Sequence, residues 1–104
     1  MKWSALLLVV VGCHHGAPEV SGAYRDDITN LCDAVKLSGA DTIQDDQRIA
    51  VIAMWLGPHI QTKEGHDFLL AIQPLQGEAK AKRLDDEAHR VGLASCALSA
   101  EWRK

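Results

Sequence analysis

Two kinds of apolar pattern run along this chain. Near the N-terminus, Trp3 to Val11 is an almost unbroken apolar run, preceded by Lys2 and closed by Gly12 and Cys13. From Gly22 onward, apolar residues recur every three or four positions, the period of a helix with one buried face. Ile28, Leu31, Cys32 and Val35 predict a first helix over Gly22 to Leu37, with Arg25, Asp26, Asp27, Asn30 and Asp33 on its other face. Asp26 and Asp27 in its early turns and Lys36 in its last suit the helix dipole, and Gly39 supplies a stop. A polar link from Asp41 to Asp46 offers an N-cap at Asp45 or Asp46. A second helix is expected from Gln47, with Ile49, Ile52, Ala53 and Leu56 inward. Gly57-Pro58 interrupts it. Proline lacks the N–H and clashes with the preceding turn, so the chain either kinks there or restarts with Pro58 in a first turn. Thr62 is the expected N-cap of a third helix that ends near Gln73, with Phe68, Leu69 and Ile72 as its stripe. Pro74 and Gly77 mark a turn. A fourth helix, Glu78 to Val91, turns Ala81, Leu84, Ala88 and Val91 inward, and Gly92 ends it. Lys80, Lys82, Arg83, Asp85, Asp86 and Glu87 are mostly its solvated face. The last segment, Leu93 to Lys104, carries Cys96, Leu98 and Trp102 and is expected to fold back across the first helix. No strand-type alternation is sustained. The expected fold is all-α, a small bundle of about four helices with a C-terminal tail.

The N-terminal run is too short for a membrane-spanning helix, which needs about 20 apolar residues. Lys2 before it and small residues after it give the order of a secretory signal peptide. The ending Val10-Val11-Gly12-Cys13 resembles a bacterial lipobox. That resemblance implies a signal peptide over residues 1–12 and a Cys13 that is lipidated and becomes the first mature residue. Residues 13–21 then form the lipidated N-terminus and a flexible tether, since His14 to Ser21 contains Gly16 and Pro18 and lacks periodicity. Residues 22–104 form the helical domain. The alternative is an ordinary signal peptide cut near Gly16-Ala17, with Cys13 discarded. In lipoproteins of this kind an Asp after the lipidated Cys is associated with inner-membrane retention. Here the residue is His14, which leans toward the outer membrane.

Composition narrows the partners. The chain of 104 residues carries 11 Lys and Arg against 14 Asp and Glu, a net charge of −3 that becomes one unit more negative without Lys2. No basic patch is visible, so nucleic acid is excluded as a partner class. The acidic balance also disfavours electrostatic adhesion to anionic lipid, so the link to the membrane must run through the N-terminal lipid. Beyond the N-terminal run the aromatics are Tyr24, Trp55, Phe68 and Trp102, so the core must be mainly aliphatic. Three cysteines are an odd number. With Cys13 given to lipid, Cys32 and Cys96 remain as a pair, and in an oxidising compartment they are expected to form a disulfide that staples the tail back. A closed loop of about 65 residues corresponds to roughly 4 kcal/mol of stabilisation on chain-entropy arithmetic, comparable to the whole stability of so small a domain. Redox catalysis is the alternative role, but the C-x-x-C spacing of a reactive dithiol is absent.

Candidate chemistry is sparse. His14 and His15 adjoin Cys13, while His59, His66 and His89 lie in the domain with no H-E-x-x-H spacing, so no metal site is expected. Asp26-Asp27, Asp45-Asp46 and Asp85-Asp86 are adjacent residues, which do not share a helix face, and serve better as caps and solvated positions than as acid–base dyads. Neither a nucleophile elbow nor a Gly-rich phosphate loop occurs. No catalytic residue, cofactor or metal is therefore expected. Trp55 and Trp102 are expected to complete a core poor in aromatics; a Trp55 on the outer flank of the second helix would instead anchor a partner.

As a whole, the chain is similar to small lipoproteins of bacterial envelopes. From Leu31-Cys32-Asp33-Ala34 through Gly92-Leu93-Ala94-Ser95-Cys96 to Trp102, it also resembles two-cysteine helical domains found beside ExbD-type biopolymer transporters. These resemblances imply a lipid-anchored accessory or protein-binding protein of the cell envelope, without catalytic activity and with an envelope protein as partner. An inhibitor or immunity-type lipoprotein is the second class, and a periplasmic metal-binding protein the third.

Overall fold

A computed structural model describes residues 20–104; the Trp3–Val11 run and Cys13 lie outside the described residues. Helices form wherever the three-to-four spacing is sustained, and no strand occurs among the described residues. Helix α1 (Gly22–Cys32) starts at Ser21, whose hydroxyl accepts the Tyr24 N–H, and turns Ile28, Leu31 and Cys32 into the core. A one-residue bend at Asp33, directly after the half-cystine, separates it from the short α2 (Ala34–Leu37). The expected single helix over Gly22 to Leu37 is thus two pieces on one path. It ends at Gly39 as expected, with a φ of 82° that glycine adopts without strain.

After a single 3-10 turn at Ala40–Thr42, α3 runs over Asp45–His59. Its N-cap is Gln44, so Asp45 and Asp46 sit in the first turn rather than at the cap. They still meet the positive end of the helix dipole there. Pro58 does not start a new helix: α3 runs unbroken through it, and it occupies the last turn. The Met54 carbonyl that it cannot satisfy belongs to a residue 78% exposed, where water can reach.

Helix α4 (Lys63–Ile72) is capped by Thr62, as its sequence position requires. Helix α5 (Gly77–Arg90) buries Ala81, Leu84 and Ala88, with Val91 just beyond it also in the core. It closes in a Schellman turn: Leu93 N–H donates to the Ala88 carbonyl, Gly92 N–H to that of His89, and Gly92 has a φ of 93°. The tail forms a further helix, α6 (Ala97–Trp102). It packs along α5 as well as α1, with Leu98 fully buried. The four longer helices and the stapled tail make the expected all-α bundle.

Candidate functional site

Of the residues singled out in the sequence, Cys32 and Cys96 meet. They form a buried disulfide with Cα atoms 4.6 Å apart, across a sequence separation of 64. The bond ties the end of α1 to the start of α6. Cys13, the expected lipid carrier, lies outside the described residues, as do His14 and His15. His59, His66 and His89 are all exposed, and the described residues hold no cluster of three or more metal-ligating side chains. His59 stacks on Trp55 with ring centroids 3.9 Å apart.

Two carboxylates expected on solvated faces are buried instead. Asp27, 1% exposed, accepts the backbone N–H groups of Gln61 and Thr62, each at 2.8 Å, and the Thr62 hydroxyl at 2.6 Å. Thr62 in turn accepts the Gly65 N–H. One acid of α1 therefore anchors the N-terminus of α4 through its capping residue. The orphan donors of a helix start explain the pairing. Gly65 is the contact point between the two helices. A Cβ there would overlap Asp27 Oδ2 and stand 2.7 Å from Ile60 Cγ2.

Glu87, 6% exposed, is the second. It accepts from Arg90 at 2.8 and 3.0 Å, from Arg83 at 3.5 Å and from the Tyr24 hydroxyl. The Arg90 hydrogen bonds outweigh the burial that opposes ionisation and hold its carboxyl down to about 2. Burial, and then Glu87 itself, push the Tyr24 phenol well above its ordinary value. Glu87 thus stays ionised and Tyr24 stays protonated across the physiological range. This cluster is a clamp between α1 and α5, and it exchanges no proton near neutral pH. Asp85 is similarly committed. Burial raises its pKa, but Ser99 and Arg103 outweigh that and the net direction is downward. Arg103 also reaches Glu78 at 2.8 Å, so the two acids of α5 hold the tail.

What remains for recognition is surface shape. A groove of about 300 Å³ lies between α3, α4 and the tail, with Ile52, Leu56, Leu69, Ile72 and Trp102 along it. It shares Ile49, Lys80 and Trp102 with a wider cleft that carries Asp45, Asp46 and Glu101. Trp102 packs half-buried on the core, and the Lys80 ammonium sits 4.8 Å from its ring centroid. Trp55 is also half-buried against the core, on the flank of α3 away from Ala53. Periodicity gave no warning of the groove. Ile49 and Ala53, expected inside, are exposed because α3 turns only Ile52 and Leu56 fully inward. Comparisons with protein-family models, with curated proteins and with solved structures find no match for this chain.

Proposed function

We propose that this chain is a lipid-anchored cell-envelope protein whose helical domain binds another protein and catalyses no reaction. Cys13 carries the lipid, the outer membrane is the favoured location, and the domain stands outside the cytoplasm on a short tether. The buried Cys32–Cys96 disulfide carries this reading. It uses two of the three cysteines, leaves the lipobox cysteine over, and suits an oxidising compartment. The buried acids Asp27 and Glu87 support a non-catalytic role, because their oxygens are spent on a helix start and on two arginines. The groove beside α3 supports binding, since apolar recesses with a few polar groups at their rim are where partners dock.

The test is the intact mass of the protein extracted from native membranes, with and without reductant. The expected product begins at Cys13, carries acyl chains and gains two hydrogens on reduction. In parallel, Cys13→Ser moves the protein out of the membrane fraction. A chain that begins elsewhere, or one whose Cys13→Ser variant stays with the membrane, overturns the anchor.

A further inference from the structure

Three sulfur-bearing side chains lie among the described residues. Cys32 and Cys96 are joined in a buried bond and are already oxidised. The third is Met54 of α3, and its setting is the opposite. Methionine is usually a core residue, whose flexible thioether fills gaps in packing. Met54 is 78% exposed and is neither in the core nor packed against it. It lines neither the groove nor the wider cleft. Helix geometry decides what could shield its sulfur. A long side chain on a helix leans back over the residues three and four positions before it and is flanked by those three and four after it. For Met54 these are Ala50, Val51, Gly57 and Pro58. Ala50, Gly57 and Pro58 are exposed, Val51 is half-buried, and none is long enough to fold over the thioether.

We infer that Met54 is a reversible oxidation site of the folded domain: an oxidant of the peroxide class converts it to the sulfoxide, and a methionine sulfoxide reductase restores it, with no unfolding at either step. In the forward step a sulfur lone pair attacks one peroxide oxygen and the O–O bond breaks. That oxygen stays on sulfur and the other leaves as water, so the sulfur loses the two electrons that the peroxide gains. In the return step a dithiol removes the oxygen as water and ends as a disulfide. The setting of Met54 permits both. Oxidant and reductase must each reach the sulfur, and its exposure admits them. A sulfoxide is polar and disrupts a core, but no core contact depends on this side chain. The cysteines do not compete, because sulfurs joined in a disulfide hold no thiolate to oxidise. Trp55 is half-buried and stacked on His59, so the indole is the less accessible neighbour. What changes is the outside of α3, where a strongly polar group enters the apolar run from Ile49 to Leu56. This inference stands whether or not Cys13 carries lipid and whatever protein the groove binds.

The experiment treats the full chain with hydrogen peroxide, once folded and once in urea, and follows the tryptic peptide Ile49–Lys63, which holds Met54. The expected product carries one added oxygen on Met54, formed in the folded chain at a rate within about fivefold of that in urea, because unfolding adds little access. Circular dichroism of the oxidised chain is unchanged. The two sulfoxide reductases together, one for each epimer, remove the oxygen from the intact folded chain. Met54→Leu keeps the fold and abolishes the gain in that peptide. A folded-state rate slower than that limit overturns the proposal, as does oxygen found on Trp55 in place of Met54. So does a loss of helical signal on oxidation, or a sulfoxide that the reductases remove from the tryptic peptide but not from the intact chain.

Discussion

Asp27 and Gly65 form one device. The carboxylate supplies acceptors to the start of α4, and the missing side chain lets it come close enough to do so. Glycine within a helix ordinarily costs up to about 1 kcal/mol relative to alanine, so Gly65→Ala on a free helix would stabilise. Here the sign reverses. The new methyl collides with Asp27 Oδ2 and Ile60 Cγ2, and the chain should lose about 2 kcal/mol in a urea titration, the usual cost of overpacking. A gain in stability would mean that α1 and α4 can separate without losing the cap. Glu87 sets a second residue-scale expectation. Its folded pKa, about 2, lies below its ordinary 4.5, so the ionised form is favoured by folding. The contribution is fully present above about pH 4.5 and drains away as pH falls toward 2, by about 3 kcal/mol in all. Glu87→Gln should flatten that part of the stability–pH curve. An unchanged slope below pH 4.5 would assign the acid sensitivity to other carboxylates.

At the scale of elements, the sequence shows most where a helix is amphipathic and capped. Thr62, Gly39 and Gly92 stop or start helices where their chemistry requires, and α5 buries the residues that its stripe names. The element that departs is α3. Its apolar residues occupy every side, so no period identifies its inner face, and tertiary packing alone decided that Ile52 and Leu56 go in while Ile49 and Ala53 stay out. The helical tail was equally hard to see. Ala97–Trp102 is too short to form alone and exists because Leu98, the disulfide and the Asp85–Ser99 and Arg103 contacts fix it on α5. Asp27 and Glu87 were misplaced for a related reason. Charge patterning sends an acid to solvent, and only paired donors make its burial tolerable. For Asp27 those donors, Gln61 and Thr62, are distant in sequence; for Glu87 the neighbouring Arg90 and Arg83 neutralise the charge, while the distant Tyr24 ties it to α1. The sequence offers a partner role to Trp55, which does not line the groove; Trp102, expected to complete the core, does, so neither the surface nor its position between α3, α4 and the tail is legible in the sequence.

For the molecule as a whole, the decisive bond is the one that closes the longest loop. The disulfide joins residues 64 apart and pins a six-residue helix that local hydrogen bonds could not hold. Restricting the unfolded chain across such a loop stabilises by roughly 2 to 4 kcal/mol, against a total of about 5 to 15 kcal/mol for ordinary domains. A domain this small sits near the lower end, so its stability depends on where it matures. Replacing Cys32 and Cys96 together by Ala should lower the urea midpoint by a large fraction while leaving the helical signal at zero urea mostly intact. The Tyr24–Glu87–Arg90 clamp and the Asp27 cap bind α1 to α5 and α4 without passing through the sulfurs. Reductant added to the native protein should move it to the same midpoint as the double variant. Agreement of the two midpoints would assign the whole effect to the crosslink. A reduced chain as stable as the oxidised one would show that the packing of Leu98 and the Arg103 contacts already hold the tail. The Cys32–Cys96 pair would then mark the compartment rather than stabilise the fold.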